Sequence, residues 1–115
     1  GLPWGVVTNK PGWLTDPLLA ALGLDRRASC VVSGDTVAER KPHPLPLLQT
    51  CAALGTAPAR TLMVGDDLTN DVKGAKALGL FTAWIAPHAT ELHANVDIHL
   101  KALAELPAHC ERLFA

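Results

Sequence analysis

The sequence predicts an α/β fold built around a mainly parallel β-sheet. Short apolar runs rich in β-branched residues alternate with helical patterns, the order that is typical of parallel βα units. A Leu-Gly pair closes three of the helical patterns, and glycine suits the left-handed backbone that follows many helices. The 115 residues are 49% apolar and 18% charged, a composition that suits a compact domain with a single core.

The strands are predicted where apolar runs are bounded by turn residues, because β-branched and aromatic side chains favour extended backbone. They cover residues 4–9, 30–34, 61–65 and 81–85, with a short fifth strand at 96–98. The helices are predicted over residues 13–22, 44–54 and 70–78, followed by a last amphipathic helix that ends near residue 106. Since no linker or low-complexity tract interrupts this pattern, we expect a single domain over residues 1–115.

Composition excludes several classes of partner. The net charge is −1 and lysines and arginines form no run, which disfavours a nucleic-acid groove or an anionic membrane surface. No apolar stretch approaches the roughly 20 residues needed to span a bilayer, and no signal segment opens the chain. Small-molecule chemistry stays open. Three cysteines at unrelated spacings fit neither a disulfide framework nor a zinc motif, so we expect a cytoplasmic protein.

Polar side chains follow the predicted strands at the points where ligands bind in parallel sheets, beyond the strand carboxyl ends. Thr8 and Asn9 lie at the carboxyl end of the first predicted strand, and Lys41 lies in a proline-rich loop before the second helix. Asp66 and Asp67 come directly after the third strand, and Asp71 follows in the next helical segment. These residue types suit a phosphate group and a metal ion.

The adjacent carboxylates Asp66 and Asp67 indicate a cation site. Two such groups at a buried strand end repel each other unless a cation compensates, and hard oxygen ligands suit Mg²⁺. The alternative is a solvated turn. Asp71 either supports the metal or orients one of the pair, or it is a favourable charge near a helix N-terminus.

Thr8 and Lys41 each have a structural and a functional interpretation. The hydroxyl of Thr8 and the amide of Asn9 suit a phosphoryl oxygen, but a Thr-Asn pair after a strand also serves as a plain helix cap. Lys41 is either a surface lysine or a charge aimed by the rigid loop that Pro42, Pro44 and Pro46 form.

Taken together, three segments resemble the second, third and fourth signature motifs of the haloacid dehalogenase superfamily. They are Thr8-Asn9 after an apolar strand, Lys41-Pro42-x-Pro44 before a helix, and Val64-Gly65-Asp66-Asp67-x-x-x-Asp71 leading into a helix. The Val-Val-Thr-Asn-Lys-Pro segment is similar to that of the phosphoglycolate phosphatase-like branch. The resemblance implies a Rossmann-like, three-layer α/β/α core, of which the chain holds a part.

The resemblance also implies a function, namely Mg²⁺-dependent hydrolysis of a small phosphorylated metabolite through an aspartyl-phosphate. By the same resemblance, Thr8 and the backbone amide of Asn9 bind the phosphoryl group. Lys41 is the catalytic residue that stabilises the charge of this group and of the nucleophile. Asp66 then binds Mg²⁺, and Asp67 and Asp71 support the metal shell.

One family motif is missing from the sequence. The Asp-x-Asp-Gly-Thr segment that carries the family's nucleophile does not occur, and we expect it, with the cap domain, to precede Gly1. The isolated chain is therefore expected to be inactive. The missing strand would lie between the strands that end at Thr8 and Asp66, so we expect these two strands to pair directly, or a strand-swapped homo-oligomer or a missing N-terminal segment to fill the gap.

Other functions are weighed against this one. A phosphoacceptor receiver domain uses similar residues, but there the acidic residues come first, whereas here Thr8 and Lys41 precede Asp66. A non-catalytic phosphate- or Mg²⁺-binding module derived from a phosphatase stays open. Dinucleotide binding is disfavoured because no Gly-x-Gly-x-x-Gly follows a strand. The histidines lack zinc spacing, and the three tryptophans are expected to pack in the core or at its edge: Trp4, Trp13 and Trp84.

Overall fold

The computed structural model describes residues 2–90 and 93–114. The chain divides into two compact units, Gly1–Pro58 and Ala59–Ala115. Each unit contains parallel strands with helices packed on them, which confirms the predicted α/β class. The prediction of a single domain stays a prediction. Within the described residues, no helix is both long and apolar enough to cross a membrane.

The first unit contains two parallel strands, β1 (Gly5–Val7) and β2 (Cys30–Val32), which pair in register from Gly5 with Cys30 to Val7 with Val32. Helix α1 (Gly12–Ala21) connects the strands, and helix α2 (Leu45–Leu54) follows β2. Helix α2 contacts both strands and buries Leu47 and Cys51. The unit's core therefore lies between α2 and the sheet.

Local sequence explains where these helices begin and end. Pro44 and Pro46 flank the start of α2, where a backbone N–H has no helical partner to lose. Gly55 ends α2 in the left-handed conformation, with a φ of 69°. Gly23 and Gly79, the glycines of the other two Leu-Gly pairs, adopt the same conformation. The predicted helix ends are therefore confirmed.

The second unit contains three parallel strands in the order β3, β4 and β5: Leu62–Gly65, Phe81–Ile85 and Ile98–Leu100. A π-helical segment (Leu68–Lys73) runs into a short helix α3 (Gly74–Ala77) between β3 and β4. Both contact the sheet and bury Val72 and Ala75. Helix α4 (Leu106–Leu113) follows β5 and places Leu106 and Leu113 against a buried cluster of Ala83, Ile98 and Leu100.

The predictions for the last elements were wrong in position. The fifth strand begins at Ile98 rather than ending there, since Asp97 accepts hydrogen bonds from the Thr82 N–H and hydroxyl before the strand starts. The last helix begins at Leu106, where it was predicted to end. Its first turn contains Pro107, a residue that suits a helix start because its missing N–H is not needed there.

The predicted direct pairing of the strands before Thr8 and before Asp66 is not observed. Among the residues described, β1 pairs with β2, and β3 pairs with β4, in separate sheets. All residues of β1 and β3 stay partly exposed, whereas β4 and β5 each bury two residues. The alternatives of a swapped strand or a missing N-terminal segment stay predictions.

Candidate functional site

Thr8 lies directly after β1, where the chain enters a tight turn. Its N–H donates to the Val32 carbonyl at 2.9 Å, one step beyond the β1–β2 ladder. Its hydroxyl oxygen accepts a hydrogen bond from the Lys10 N–H at 3.1 Å. The hydroxyl is therefore held at the carboxyl end of β1 by the backbone that follows it, as in other turns stabilised by Ser or Thr.

The side chain of Asn9 holds the backbone of Lys41 at two points. Asn9 Nδ2 donates to the Lys41 carbonyl at 3.0 Å, and the Lys41 N–H donates to Asn9 Oδ1 at 2.9 Å. An amide side chain has the donor and the acceptor that this reciprocal pair needs. The resemblance assigned Asn9 a role through its backbone amide, and it did not indicate this contact between residues 32 positions apart.

The side chain of Lys41 returns to the first strand. Lys41 Nζ donates to the Val7 carbonyl at 3.0 Å, so the ammonium group lies at the carboxyl end of β1, one residue from Thr8 along the chain. Lys41 is half-buried and makes further interactions within the described structure. Thr8, Asn9 and Lys41, which the sequence analysis placed in one site, therefore lie together in the first unit.

Two residues after β2 support this turn and were missed by sequence reasoning. The Gly34 N–H donates to the Lys10 carbonyl at 2.8 Å, and a Cβ added at Gly34 would lie 2.1 Å from the Asn9 carbonyl oxygen. Asp35 Oδ1 accepts a hydrogen bond from the Gly12 N–H at 2.9 Å, at the start of α1. Only glycine at position 34 permits the backbone after β2 to lie so close to that of Asn9. Because the two segments are distant in sequence, no local pattern predicts their contact.

In the second unit, Asp67 caps the helical segment that follows β3. Its Oδ1 accepts hydrogen bonds from the Thr69 N–H at 2.9 Å and the Asn70 N–H at 2.8 Å, and its Oδ2 accepts from Asn70 Nδ2 at 3.3 Å. A carboxylate at this position satisfies backbone donors that have no partner within the helix. Much of its hydrogen-bonding capacity is therefore used within the turn.

Asp71 holds the same turn from inside. It is 6% exposed, and its Oδ2 accepts a hydrogen bond from the Asp67 N–H at 3.2 Å. A Cβ added at Gly65 would lie 2.2 Å from that same oxygen, so the carboxylate occupies the space that a side chain at Gly65 would need. The sequence left several roles open for Asp71. Its contact with the Asp67 N–H agrees with the role in which Asp71 orients one of the two adjacent aspartates.

Asp66 differs from the other two acidic residues. It is exposed, and its carboxylate makes no hydrogen bond to any residue within 2–90 or 93–114, although its carbonyl accepts one from Trp84 Nε1 at 3.1 Å. Three His, Cys, Asp or Glu side chains do not converge on a metal position anywhere in the described chain. An exposed carboxylate such as that of Asp66 suits Mg²⁺, since this ion often binds through one or two carboxylates and keeps several waters.

The arrangement gives each unit its own chemical capacity. The first unit has an ammonium group, a hydroxyl and backbone amides at a strand end, a combination that binds an anion such as phosphate. The second unit has a carboxylate available to a cation on a turn held by two other carboxylates. These are the groups that phosphoryl-transfer chemistry requires for binding, without an attacking group.

The tryptophans do not all pack as predicted. Trp13 is 73% exposed on α1 and Trp4 is 37% exposed, so the prediction of core packing is wrong for Trp13. Trp84 lies in β4 and is partly buried. Its ring stacks on His99 and contacts His93, as an aromatic residue at the edge of a core does.

Comparison with known proteins places the chain among hydrolases. A family model described as haloacid dehalogenase-like hydrolase matches residues 1–85. The chain is 46% identical over 80 residues to a phosphoglycolate phosphatase of Xylella fastidiosa (strain 9a5c), a match that covers 70% of this chain and 34% of that protein. It is 40% identical over 103 residues to an N-acetylmuramic acid 6-phosphate phosphatase of Pseudomonas aeruginosa, covering 85% of this chain and 45% of the relative.

A solved structure agrees with these matches. The crystal structure of a HAD phosphatase from Thermococcus onnurineus aligns with a TM-score of 0.83 at 33% identity, over 91% of this chain and 48% of that one. The chain thus spans less than half the length of each of these three relatives.

Proposed function

Because the chain belongs to the haloacid dehalogenase-like hydrolase family, we propose that it supplies the phosphate- and Mg²⁺-binding parts of a phosphomonoester hydrolase. We propose that this hydrolase is similar to phosphoglycolate phosphatase, as the relative of the chain in Xylella fastidiosa is named. The substrate is a small phosphorylated metabolite, since both curated relatives described above are named for one. A cytoplasmic location belongs to the proposal, because the spacing of the three cysteines in the sequence does not suit a disulfide framework.

The observation that carries this proposal is the contact between Asn9, Lys41 and the end of β1. Two hydrogen bonds fix the backbone of Lys41, and a third directs its ammonium group to the Val7 carbonyl beside Thr8. A charge fixed in this way needs little reorganisation to stabilise the negative charge of a phosphoryl group. Lys41 thereby stabilises the bound phosphate, and the Thr8 hydroxyl donates a hydrogen bond to one of its oxygens.

Asp66 is the residue that holds Mg²⁺ in this proposal. A bound Mg²⁺ neutralises phosphate charge and orients the phosphoryl group. Asp67 and Asp71 maintain the turn that presents Asp66, since their carboxylates accept backbone N–H groups of the same segment. Asp66 is assigned the metal because its carboxylate accepts no hydrogen bond from the described residues, whereas the carboxylates of Asp67 and Asp71 accept backbone N–H groups.

The attacking carboxylate is not part of the 115 residues in this proposal. The family mechanism forms an aspartyl-phosphate, for which an aspartate oxygen bonds to phosphorus while the alkoxide leaves with a proton. The Asp-x-Asp-Gly-Thr segment that supplies that aspartate does not occur here. The chain therefore binds the phosphoryl group, and the attacking group comes from residues outside this sequence.

A second candidate function is a non-catalytic module that binds phosphate or Mg²⁺. The missing Asp-x-Asp-Gly-Thr segment favours this alternative for the chain alone. The two candidates share their binding residues and differ only in whether the bound phosphate ester is hydrolysed once an attacking group is supplied.

The experiment that tests the proposal uses a sample whose intact mass has been determined. It measures the binding of inorganic phosphate by calorimetry and the hydrolysis of a generic phosphomonoester in MgCl₂. The variants are Asp66→Asn and, as a matched control, the exposed Asp25→Asn. Phosphate binding without hydrolysis supports the binding role and the non-catalytic alternative for the isolated chain. Hydrolysis that is lost only in Asp66→Asn supports the metal role of Asp66 but overturns the statement that the attacking group lies outside this sequence, because the group would then belong to this chain or to a second copy of it. A wild-type chain that neither binds phosphate nor hydrolyses the ester contradicts both candidates.

A further inference from the structure

We infer that Trp84 is a positioning residue for Asp66, the residue proposed above to hold Mg²⁺. The indole Nε1–H donates to the Asp66 carbonyl at 3.1 Å and so fixes the peptide group that joins Asp66 to Asp67. This inference rests on the proposed function, because it assigns Trp84 a role in presenting the Asp66 carboxylate.

The peptide group between Asp66 and Asp67 is held on both sides. Its carbonyl accepts from Trp84 Nε1, and its N–H donates to Asp71 Oδ2 at 3.2 Å. In a trans peptide the C=O and the N–H point in opposite directions, so two partners prevent rotation of the peptide plane. The backbone on the carboxyl side of Asp66 is thereby fixed, while the carboxylate stays exposed.

The strand pairing explains how Trp84 reaches this peptide. Gly65, the last residue of β3, is the register partner of Trp84 in β4. Paired residues of parallel strands present their side chains on the same face, and Gly65 has none of its own. The indole of Trp84 therefore extends past the end of β3 to the next residue, Asp66.

The indole is itself held in place. Its ring stacks on that of His99, its register partner in β5, with centroids 5.4 Å apart and planes at 25°. His93 approaches the same indole edge-on at 5.8 Å and 73°. His99 Nε2 lies 2.9 Å from the Ala86 carbonyl, so the stacking partner is also anchored. A donor fixed by its neighbours can fix its acceptor in turn, as the supporting residues of a metal site do.

The first test is calorimetric titration of MgCl₂ into the full 115-residue chain. Trp84→Phe keeps an aromatic ring in β4 but removes the donor, and we expect its Mg²⁺ affinity to fall about 3- to 10-fold, the effect of one lost hydrogen bond. Trp13→Phe is the matched control, since Trp13 is 73% exposed on α1, and we expect its affinity to equal that of the wild type. Circular dichroism melting of both variants checks that each is folded.

The second test needs no Trp84 variant and uses the double variant Trp4→Phe/Trp13→Phe, in which Trp84 is the one remaining tryptophan. We expect the indole N–H resonance of Trp84 to shift during the MgCl₂ titration, with the midpoint found by calorimetry, and to stay unchanged when Asp66→Asn is added. If Trp84 only stabilised the fold, its indole N–H resonance would not shift with the Mg²⁺ concentration in this way.

The outcomes separate this inference from the proposed function. If Mg²⁺ binding is lost in Asp66→Asn while the Trp84 resonance does not move and Trp84→Phe binds as the wild type does, the positioning role is overturned and the metal site stands. If the wild-type chain does not bind Mg²⁺ at all, the metal site and the positioning role are both wrong.

Discussion

The two units hold their candidate site residues by different kinds of contact. In the first unit, Asn9 and Lys41 are 32 positions apart and meet through side-chain to backbone hydrogen bonds. In the second unit, Asp67 and Asp71 are four positions apart and stabilise a single turn, to which Trp84 adds one distant contact. The first site therefore depends on the tertiary structure of its unit, whereas much of the second can form locally.

Substitution of the two glycines that contact candidate site residues, Gly34 and Gly65, is expected to have the largest effects on stability. Gly34→Ala would place a Cβ 2.1 Å from the Asn9 carbonyl oxygen, a backbone atom that cannot rotate away. We expect the free energy of unfolding to fall by about 3 kcal/mol, at the upper end of the usual cost of overpacking. Gly65→Ala would meet the Asp71 side chain, with Oδ2 at 2.2 Å and Cβ at 2.5 Å. Because that Cβ moves only with its backbone, we expect a loss of about 2–3 kcal/mol.

Urea denaturation followed by circular dichroism measures both effects. Gly12→Ala is the matched control, because a Cβ there meets the carboxylates of Asp35, at 3.3 Å, and Asp16, at 3.9 Å, and alanine favours the helix that begins at this residue. A loss for either Gly34→Ala or Gly65→Ala that is no larger than that for Gly12→Ala would contradict the close approach described at that glycine.

Breaking the contact between Asn9 and Lys41 is expected to affect both stability and phosphate binding. Asn9→Ala removes the partners of two backbone groups of Lys41, and we expect a stability loss of about 1–3 kcal/mol. Calorimetry with inorganic phosphate should show an affinity about 10-fold lower, since the Lys41 ammonium is no longer held at the end of β1. The exposed Asn95→Ala serves as the control, and unchanged phosphate affinity in Asn9→Ala would disprove the link between this contact and the site.

The corresponding change in the second unit is expected to be smaller. Asp67→Ala removes the cap of the π-helical segment, at a cost of about 1 kcal/mol, whereas Asp67→Ser keeps a capping oxygen and should cost only a few tenths of that amount. Chemical denaturation of the two variants gives the comparison. A loss as large for Asp67→Ser as for Asp67→Ala would show that capping is not the role of this carboxylate.

Asp97 provides the smallest effect, through the pH dependence of stability. Burial acts to raise the pKa of Asp97, but the hydrogen bonds from Lys76 and the Thr82 amide, with the charge of Lys76, outweigh it and lower the pKa. A lowered pKa stabilises the fold above the pKa of the unfolded chain, and the contribution disappears as the pH falls through the lowered value.

The size of this contribution is expected to be under about 1 kcal/mol, because the ion pair is partly exposed. Unfolding free energies measured at about pH 6 and about pH 3 should therefore differ less in Asp97→Asn than in the wild type. Lys73→Met removes an exposed lysine and is the control. An identical pH dependence in Asp97→Asn and the wild type would exclude this role.

The parts of the fold that could be predicted from sequence are those with local signals. The bounds of β4 match the prediction, and the three Leu-Gly pairs end their helices. The start of the last helix could not be predicted from hydrophobic pattern alone, because the apolar residues before and after Leu106 allow several starts. The exposure of Trp13 was missed for a related reason, since composition does not reveal which apolar faces become covered.

The same division holds for the candidate site. The places of Thr8, Asn9 and Asp66 directly after strands could be predicted, because parallel strands end in such residues where they bind ligands. The contact of Asn9 with Lys41 and that of Trp84 with Asp66 could not, because they join residues that only the tertiary structure brings together. Nor does sequence distinguish a carboxylate that accepts backbone N–H groups from one that is available to a cation.

The most direct test of the account is calorimetric titration of inorganic phosphate into the wild-type chain, Lys41→Ala and Lys10→Ala. Lys10 neighbours the site, but its side chain is exposed. The account predicts that the wild type and Lys10→Ala bind phosphate equally, and that Lys41→Ala binds it about 10-fold more weakly or worse, as expected for a lost charged hydrogen bond. Equal affinity in Lys41→Ala, or no binding by the wild type, would contradict it.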